Sequence, residues 1–247
     1  MSVHYHFAAL GSTNSRAVEL ARLGEPAPFW VTADRQLAGR GRMDRNWVSE
    51  PGNLYASLLL APDVELQRLP ELSFVFAVAL RRAVSSESGL RSLKLKWPND
   101  LMAGHEKLAG LLLESSASQG RFSVVAGFGI NCAHHPSGTR TPATDLAVLG
   151  TPVATRSLFE ALRTQVASAI ESWLGEGFRP FREEWADNAY GIGREACIST
   201  GSRVVRGEAE GIDDAGRLVL TTKHGREYIS AGDWLVTGTD ERLELHG

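Results

Sequence analysis

Three arginines, Arg40, Arg42 and Arg45, fall within six positions of the stretch AGRGRMDRNW (38–47), two of them directly behind glycines. Guanidinium groups gathered on a loop too glycine-rich for a regular helix or strand are suited to gripping an anion, since each offers a planar fork of donors with a permanent charge. Gly39 and Gly41 permit backbone angles that turn successive N–H groups inward as an anion nest. Arg40 and Arg42 would each add charge-assisted hydrogen bonds of about 1.5–3 kcal/mol if sheltered from water. The other reading is a solvated hairpin tip whose arginines pair with Asp34, Asp44 and Glu50. Composition leaves both open.

A second set of charges lies in KLKWPNDLMAGHEKLAGLLLES (94–115), where Lys96, Asn99, Asp100 and Lys107 bracket a turn between two apolar strands. Such a turn can aim ammonium groups and a carboxylate into one cleft, and a carboxylate beside phosphates is a natural holder of Mg²⁺. The plainer alternative is an exposed hairpin with Asp as its turn residue. A third stretch, AGFGINC (126–132), puts Gly127 and Gly129 on one face of a strand by period two. That leaves room for a flat ligand against the backbone, or equally for a crossing helix. Asn131 could read a base edge through its amide. His4, His6, His134 and His135 have no convincing metal-ligand spacing, and no Ser-His-Asp or Cys-His set suggests a protein nucleophile.

The elements that must position these residues follow from periodicity. STNSRAVELARLG (12–24) has a polar start, apolar residues at helical spacing and a glycine stop, which predicts a short amphipathic helix. FWVTA (29–33) and LYASLLL (54–60) are strand-like and flank the arginine loop; 108–115 and 120–131 read as an antiparallel hairpin. Residues 69–89 predict a long buried helix, and two more helices are expected over 155–174 and 178–189. From YGIGRE (190–195) onward, short alternating runs separated by Gly and Asp fit a module of about five strands. The expected fold is α+β, with a main domain over 1–190 and a small β-barrel domain over 191–247.

With 247 residues, 43% hydrophobic and 22% charged, the chain can bury a full core. A net charge of −3 gives no general attraction to nucleic acid or to an anionic membrane. The longest apolar run, FVFAVAL (74–80), is far short of a membrane span, and two cysteines in no metal or redox spacing suggest reduced packing residues in a cytoplasmic protein. The chain is compatible with a monomer or a homodimer.

In order along the chain, GSTN (11–14), QxAGRGR (36–42) with Trp47 following, GNLYASLLL (52–60), KWPND (96–100), KLAGLLLE (107–114) and GFGIN (127–131) resemble the bacterial biotin–protein ligases. GEAEGIDDAGRLVL (207–220) is similar to that family's C-terminal barrel. The resemblance implies a mixed β-sheet backed by helices, of the class II synthetase-like kind, with a small SH3-like barrel. It also implies two reactions: biotin and MgATP give biotinyl-5′-AMP and pyrophosphate, and the adenylate then acylates one lysine of the biotin carboxyl carrier domain of acetyl-CoA carboxylase. On this resemblance Ser12, Thr13 and Gln36 would hydrogen-bond the ureido ring of biotin, and Asn14 would fix the turn. Arg40, Gly41 and Arg42 would belong to a loop closing over the adenylate, and Lys107 would touch the biotin carboxylate and the α-phosphate. Gly110, Gly127 and Gly129 would floor the biotin pocket, Trp47 and Asn131 would cage the adenine, and Lys96 and Asp100 would serve the phosphate and Mg²⁺ end. Lys107, Arg40 and Arg42 would carry the catalysis.

Two residues depart from the family pattern: Asp44 where glycine is usual, and Asp145 in ATDL where serine is common. Many members carry an N-terminal winged helix that makes them repressors. With GSTN at residue 11 no room for one is expected here, nor a repressor role. With two glycines, three like charges and few apolar anchors before Trp47, the loop over 38–47 is expected to need an anion to hold it closed. The rival readings are a lipoate or octanoate ligase on the same fold and a catalytically idle biotin-binding protein.

Overall fold

The computed structural model describes residues 2–43, 45–118 and 121–235. Asp44 and the end of the barrel region, 236–247, lie outside the described residues. Seven strands form one sheet: β1 (Val3–Leu10), β2 (Phe29–Gln36), β3 (Leu54–Leu60), β4 (Lys94–Lys96), β5 (Asp100–Ala103), β6 (Glu106–Ser118) and β7 (Arg121–Ile130). Their spatial order is β1-β2-β3-β7-β6-β5-β4; β1 runs parallel to β2 and the remaining pairs are antiparallel. The edge strand β1, not expected from the sequence, is largely exposed, with Tyr5, Phe7 and Leu10 half-buried against the cluster under α1 and its backbone paired to β2. β5 likewise occupies residues that read from sequence as a turn.

Helices cover both faces. α1 (Thr13–Arg22) lies on one, where Ala17 and Leu20 pack against Phe29, Val31, Leu59 and Val125. α2 (Leu72–Ser88), α3 (Thr155–Glu176) and α4 (Arg179–Asp187) form the other layer, which takes the alternate residues Trp30, Leu58, Ala126 and Phe128. β3 is therefore buried at every position, as a central strand covered on both sides must be. The same alternation puts Gly127 and Gly129, in phase with Val125, on the α1 face. α1 meets β7 where Ala17 and Leu20 pack on Val125 and Asn14 sits on Gly127; beyond that, Gly129 and Gly110 leave the face over β7 and β6 without core side chains.

Five further strands, β8 (Glu195–Ser199), β9 (Val204–Ile212), β10 (Leu218–Thr222), β11 (Gly225–Ile229) and β12 (Asp233–Leu235), make an antiparallel sheet ordered β11-β10-β9-β8-β12. This sheet fits the expected SH3-like module. It docks on the helical layer: the β9–β10 turn presses Gly216, at φ +74°, against the Phe74 ring, and Arg182 pairs with Asp214 at 2.5 Å. One hydrophobic cluster runs from Phe74 and Trp185 through to Ile198, Leu218 and Trp234. Among the described residues no helix is long and apolar enough to cross a membrane.

Candidate active site

A cavity of about 400 Å³ opens on the glycine-floored part of the sheet, within the ~300–1,000 Å³ range of small-molecule sites. Every site residue expected from the sequence lines it, from Ser12 at the start of α1 to Asn131 at the end of β7. Their local roles differ in several places from the sequence reading.

At the closed end, Ser12 occupies the N-cap position of α1 without a side-chain capping bond. Thr13 donates through N and Oγ1 to Gln36 Oε1 (2.8 and 3.1 Å), and Gln36 Nε2 donates to Ser49 Oγ (2.9 Å). Asn14 does more than fix a local turn. Its Nδ2 donates to Glu114 Oε2 (2.7 Å) and its Oδ1 accepts from Ser57 (2.6 Å), which ties α1 to β6 and β3. Gly127 is required beneath it, because a Cβ there would collide with the Asn14 amide. Gly110 and Gly129 lie under the Trp47 ring, whose Nε1 is buried without a hydrogen-bond partner. Trp47 thus stands on the glycine floor itself, with the Lys107 ammonium 5.1 Å from its ring centroid.

The arginine loop is not an anion nest of glycines. Neither Gly39 nor Gly41 has a positive φ; Met43 does, at +53°. Gly39 is needed for close approach instead, since a Cβ there would meet Ser49 Oγ at 2.6 Å as well as the Trp47 carbonyl. Nor do the arginines pair with Asp34 or Glu50: Arg40 Nη2 bonds Glu114 Oε2 (2.9 Å), and Arg45 Nη2 bonds Asp233 Oδ1 (2.9 Å). Arg42 Nη1 donates to the Gly232 carbonyl (3.1 Å) and lies 3.7 Å from Asp233. The side-chain anchors of the loop's arginines thus include two carboxylates and a carbonyl from residues 74 to 190 positions away.

Lys96, Asp100 and Lys107 form the charged end. Lys96 is 3% exposed, and burial pushes its pKa below the usual lysine range; Asp100 acts against that shift and Lys107 with it. Lys107 Nζ is 2.6 Å from Asp100 Oδ1. Burial also lowers the Arg42 pKa, against the opposing effect of Asp233. Among the described residues no cluster of three or more His, Cys, Asp or Glu could cage a metal. Asp100, whose Oδ1 faces the Lys107 ammonium, supplies one carboxylate to this end of the cavity, and Mg²⁺ carried in by phosphates ordinarily takes one or two.

Asn131 is 2% exposed and lines the cavity, and its Nδ2 donates to Thr144 O (3.0 Å), which holds the 142–146 segment against the end of β7. Asp145 is buried in that segment. Burial pushes its pKa up, but hydrogen bonds from Val148 N (2.8 Å) and His135 Nδ1 (2.6 Å) prevail and hold it below the usual range. Glu114, Ser57 and Asp233, which hold Arg40, Asn14 and Arg45, escaped the sequence reading, as did Arg140 on the cavity wall. Glu114 closes the KLAGLLLE motif and had a local signal; Asp233 arrives from β12 and had none.

Family models match this arrangement twice: the biotin/lipoate A/B protein ligase family over residues 8–131, and the biotin protein ligase C-terminal domain over residues 191–233. The biotin–[acetyl-CoA-carboxylase] ligase of Paracoccus denitrificans is 36% identical, over 92% of this chain and 97% of that protein. The bifunctional ligase/repressor BirA of Bacillus subtilis is 34% identical, over 93% of this chain and 72% of that one. A biotin protein ligase from Aquifex aeolicus, solved in complex with biotin and ATP, superposes with a TM-score of 0.83 at 25% identity, covering 95% of this chain and 98% of the other. The chain belongs to the biotin/lipoate A/B protein ligase family, as one of its biotin–protein ligases.

Proposed function

We propose that the cavity binds biotin over Gly110, Gly127 and Gly129 and ATP toward Lys96 and Asp100, makes biotinyl-5′-AMP, and passes the biotinyl group to one lysine of the biotin carboxyl carrier domain of acetyl-CoA carboxylase. In the first step a biotin carboxylate oxygen attacks the α-phosphorus and pyrophosphate leaves. In the second the carrier lysine, as a free amine, attacks the acyl carbon; AMP leaves and the amine gives up a proton. The observation that carries this reading is the pairing of a glycine floor with cationic side chains on one cavity, Arg40, Arg42, Lys96 and Lys107 among them. Joining a carboxylate to a triphosphate forces two anions together, and positioned cations relieve that repulsion and stabilise the charge developing in the transition state.

The residue roles follow. Ser12, Thr13 and Gln36 face the ureido ring, and Asn14 keeps them in register through Ser57 and Glu114. Lys107 sits at the junction of carboxylate and α-phosphate, held by Asp100 until the anions arrive. Trp47 packs over the acyl chain at that junction, a place its contact with Gly110 and Gly129 favours over the adenine alone. Arg40, Gly41 and Arg42 cover the adenylate, with Arg42 on its phosphate. Asn131 supports the nucleotide side by fixing the 142–146 segment. Mg²⁺, at Asp100, would neutralise phosphate charge when bound. Residues 1–190 would hold both substrates and the module after them would close one side of the site. A repressor role is not part of this reading, since a net charge of −3 offers no phosphate-tracking surface.

Biotin-dependent exchange of pyrophosphate into ATP tests the proposal. Exchange driven by lipoate and indifferent to biotin would move the chain to the sister activity, and tight biotin binding without exchange would make it an idle binder.

A further inference from the structure

The second sheet reaches the site through one acidic residue. Asp233, the first residue of β12, has a side chain 15% exposed and lines the same cavity as Lys96 and Asp100. Its Oδ1 accepts a hydrogen bond from Arg45 Nη2 at 2.9 Å and lies 3.7 Å from Arg42 Nη1. Arg45 in turn donates from Nε to the Arg42 carbonyl (3.0 Å), and Arg42 Nη1 donates to the carbonyl of Gly232 (3.1 Å). The residue next to Asp233, Trp234, packs over Gly191 and against Tyr190, and β12 is locked to β8 in antiparallel register. Asp233 is thus set on a strand paired to β8, whereas the arginines sit on a loop.

We propose that Asp233 is a positioning residue for Arg42, so that the second sheet holds the arginine loop in the geometry that retains the acyl-adenylate. The proposal rests on the function proposed above. Two effects of opposite sign compete. The Asp233 carboxylate reduces the positive potential that Arg42 offers to a phosphate, which would weaken retention. It also orders the loop against the mutual repulsion of Arg42 and Arg45, which strengthens it. The geometry favours ordering. The direct hydrogen bond goes to Arg45, Arg42 is the more distant partner, and among the described residues no hydrogen bond engages Arg42 Nε or Nη2. Arg42 is therefore fixed through its backbone carbonyl and one nitrogen while the rest of its fork stays available for a phosphate. Arg45 is the intermediary, and its half-exposed side chain is the place to separate positioning from folding.

The experiment compares wild type, Asp233→Ala, Asp233→Glu, Arg45→Ala and the double variant Asp233→Ala/Arg45→Ala. Two readouts are taken on each: biotin-dependent pyrophosphate exchange, and biotinylation of a bystander protein such as albumin, which reports adenylate released from the site. Asp233→Ala should raise bystander labelling about tenfold, the scale of one charge-assisted hydrogen bond, with exchange within about twofold of wild type. Arg45→Ala should reproduce that leak, the double variant should add little to either, and Asp233→Glu should restore most of the retention. Tighter retention in Asp233→Ala would show that its charge opposes the phosphate and would overturn the proposal. So would unchanged labelling in both single variants, or additive effects in the double. If Asp233→Ala does not fold, Arg45→Ala alone decides the matter. Absence of biotin-dependent exchange in the wild type would instead sink the function on which the proposal stands.

Discussion

Replacing Gly129 with alanine should dislodge Trp47 and leave the fold intact. A Cβ at Gly129 would lie 2.5 Å from Trp47 Cε2 and 2.7 Å from Cζ2 and Nε1. Non-bonded carbons normally settle at about 3.5–4.0 Å, so something must move by about 1 Å. β7 cannot give way: Gly129 is paired to Tyr55 on β3 and to Gly110 on β6, and its neighbours Phe128 and Ile130 are buried in the core. Trp47 sits on the loop and is only partly buried, so the ring moves. Overpacking of this kind costs about 1–3 kcal/mol. Because the loop can swing, most of that should appear as a lost closed population, and kcat/KM for biotin-dependent exchange should fall roughly 5- to 150-fold. Thermal melting should move by no more than about 3 °C, since global stability bears little of the cost. Gly11→Ala is the control, because an added Cβ there meets nothing within 4 Å. Wild-type exchange in Gly129→Ala would refute the crowding argument. A collapse in melting temperature would show that the strand, not the ring, had moved.

Lys107→Gln should cost about 3–4 kcal/mol in the adenylation barrier, seen as a 10²–10³-fold loss of exchange. It should also lower stability by about 1 kcal/mol in denaturant titrations, because Asp100, 16% exposed, loses its partner. The depressed pKa of Lys96 means that it sheds its charge below the pH at which an ordinary lysine would, so the KM for ATP should rise on the alkaline side earlier than for a surface lysine; Lys96→Arg should remove that limb of the profile. Burying charged Lys96 opposes folding at low pH, and stability should gain as pH rises through its folded pKa toward the unfolded value near 10.5. Asp145→Ala should destabilise by about 2–3 kcal/mol at neutral pH by removing two hydrogen bonds to a buried carboxylate. The Asp145 pKa is depressed, so its contribution is present above the ordinary carboxylate pKa and lost as pH falls through the folded one; the two stability curves should converge in acid.

Much of the architecture was legible because it is written in local patterns. Apolar, strand-like runs marked β3 and β7, helical spacing marked α1 to α4, and period two put Gly127 and Gly129 on one face of their strand. β1 was passed over although its VHYHF run alternates, because few of its positions are covered and only Tyr5, Phe7 and Leu10 pack partly on the core. The site divides in the same way. Residues clustered in one motif, such as Lys96 with Asp100 or Thr13 with Asn14, announced themselves together. Partners distant in sequence did not: Glu114 for Arg40, Asp233 for Arg45 and Ser57 for Asn14 are set by the meeting of separate strands. Gly39 read as a source of unusual φ when its need is for close approach. Asp145 acquires a meaning only once His135 is folded against it.

The central claim is that this cavity activates biotin and hands it to a carrier lysine. The most direct measurement is the intact mass of a biotin carboxyl carrier domain of acetyl-CoA carboxylase after incubation with the protein, biotin and MgATP, with peptide mapping of the product. One biotinyl group should appear on one lysine, requiring both biotin and ATP and nearly abolished by Lys107→Gln. A carrier left unmodified by protein that binds biotin tightly, or one that takes up a lipoyl group and never biotin, would contradict it.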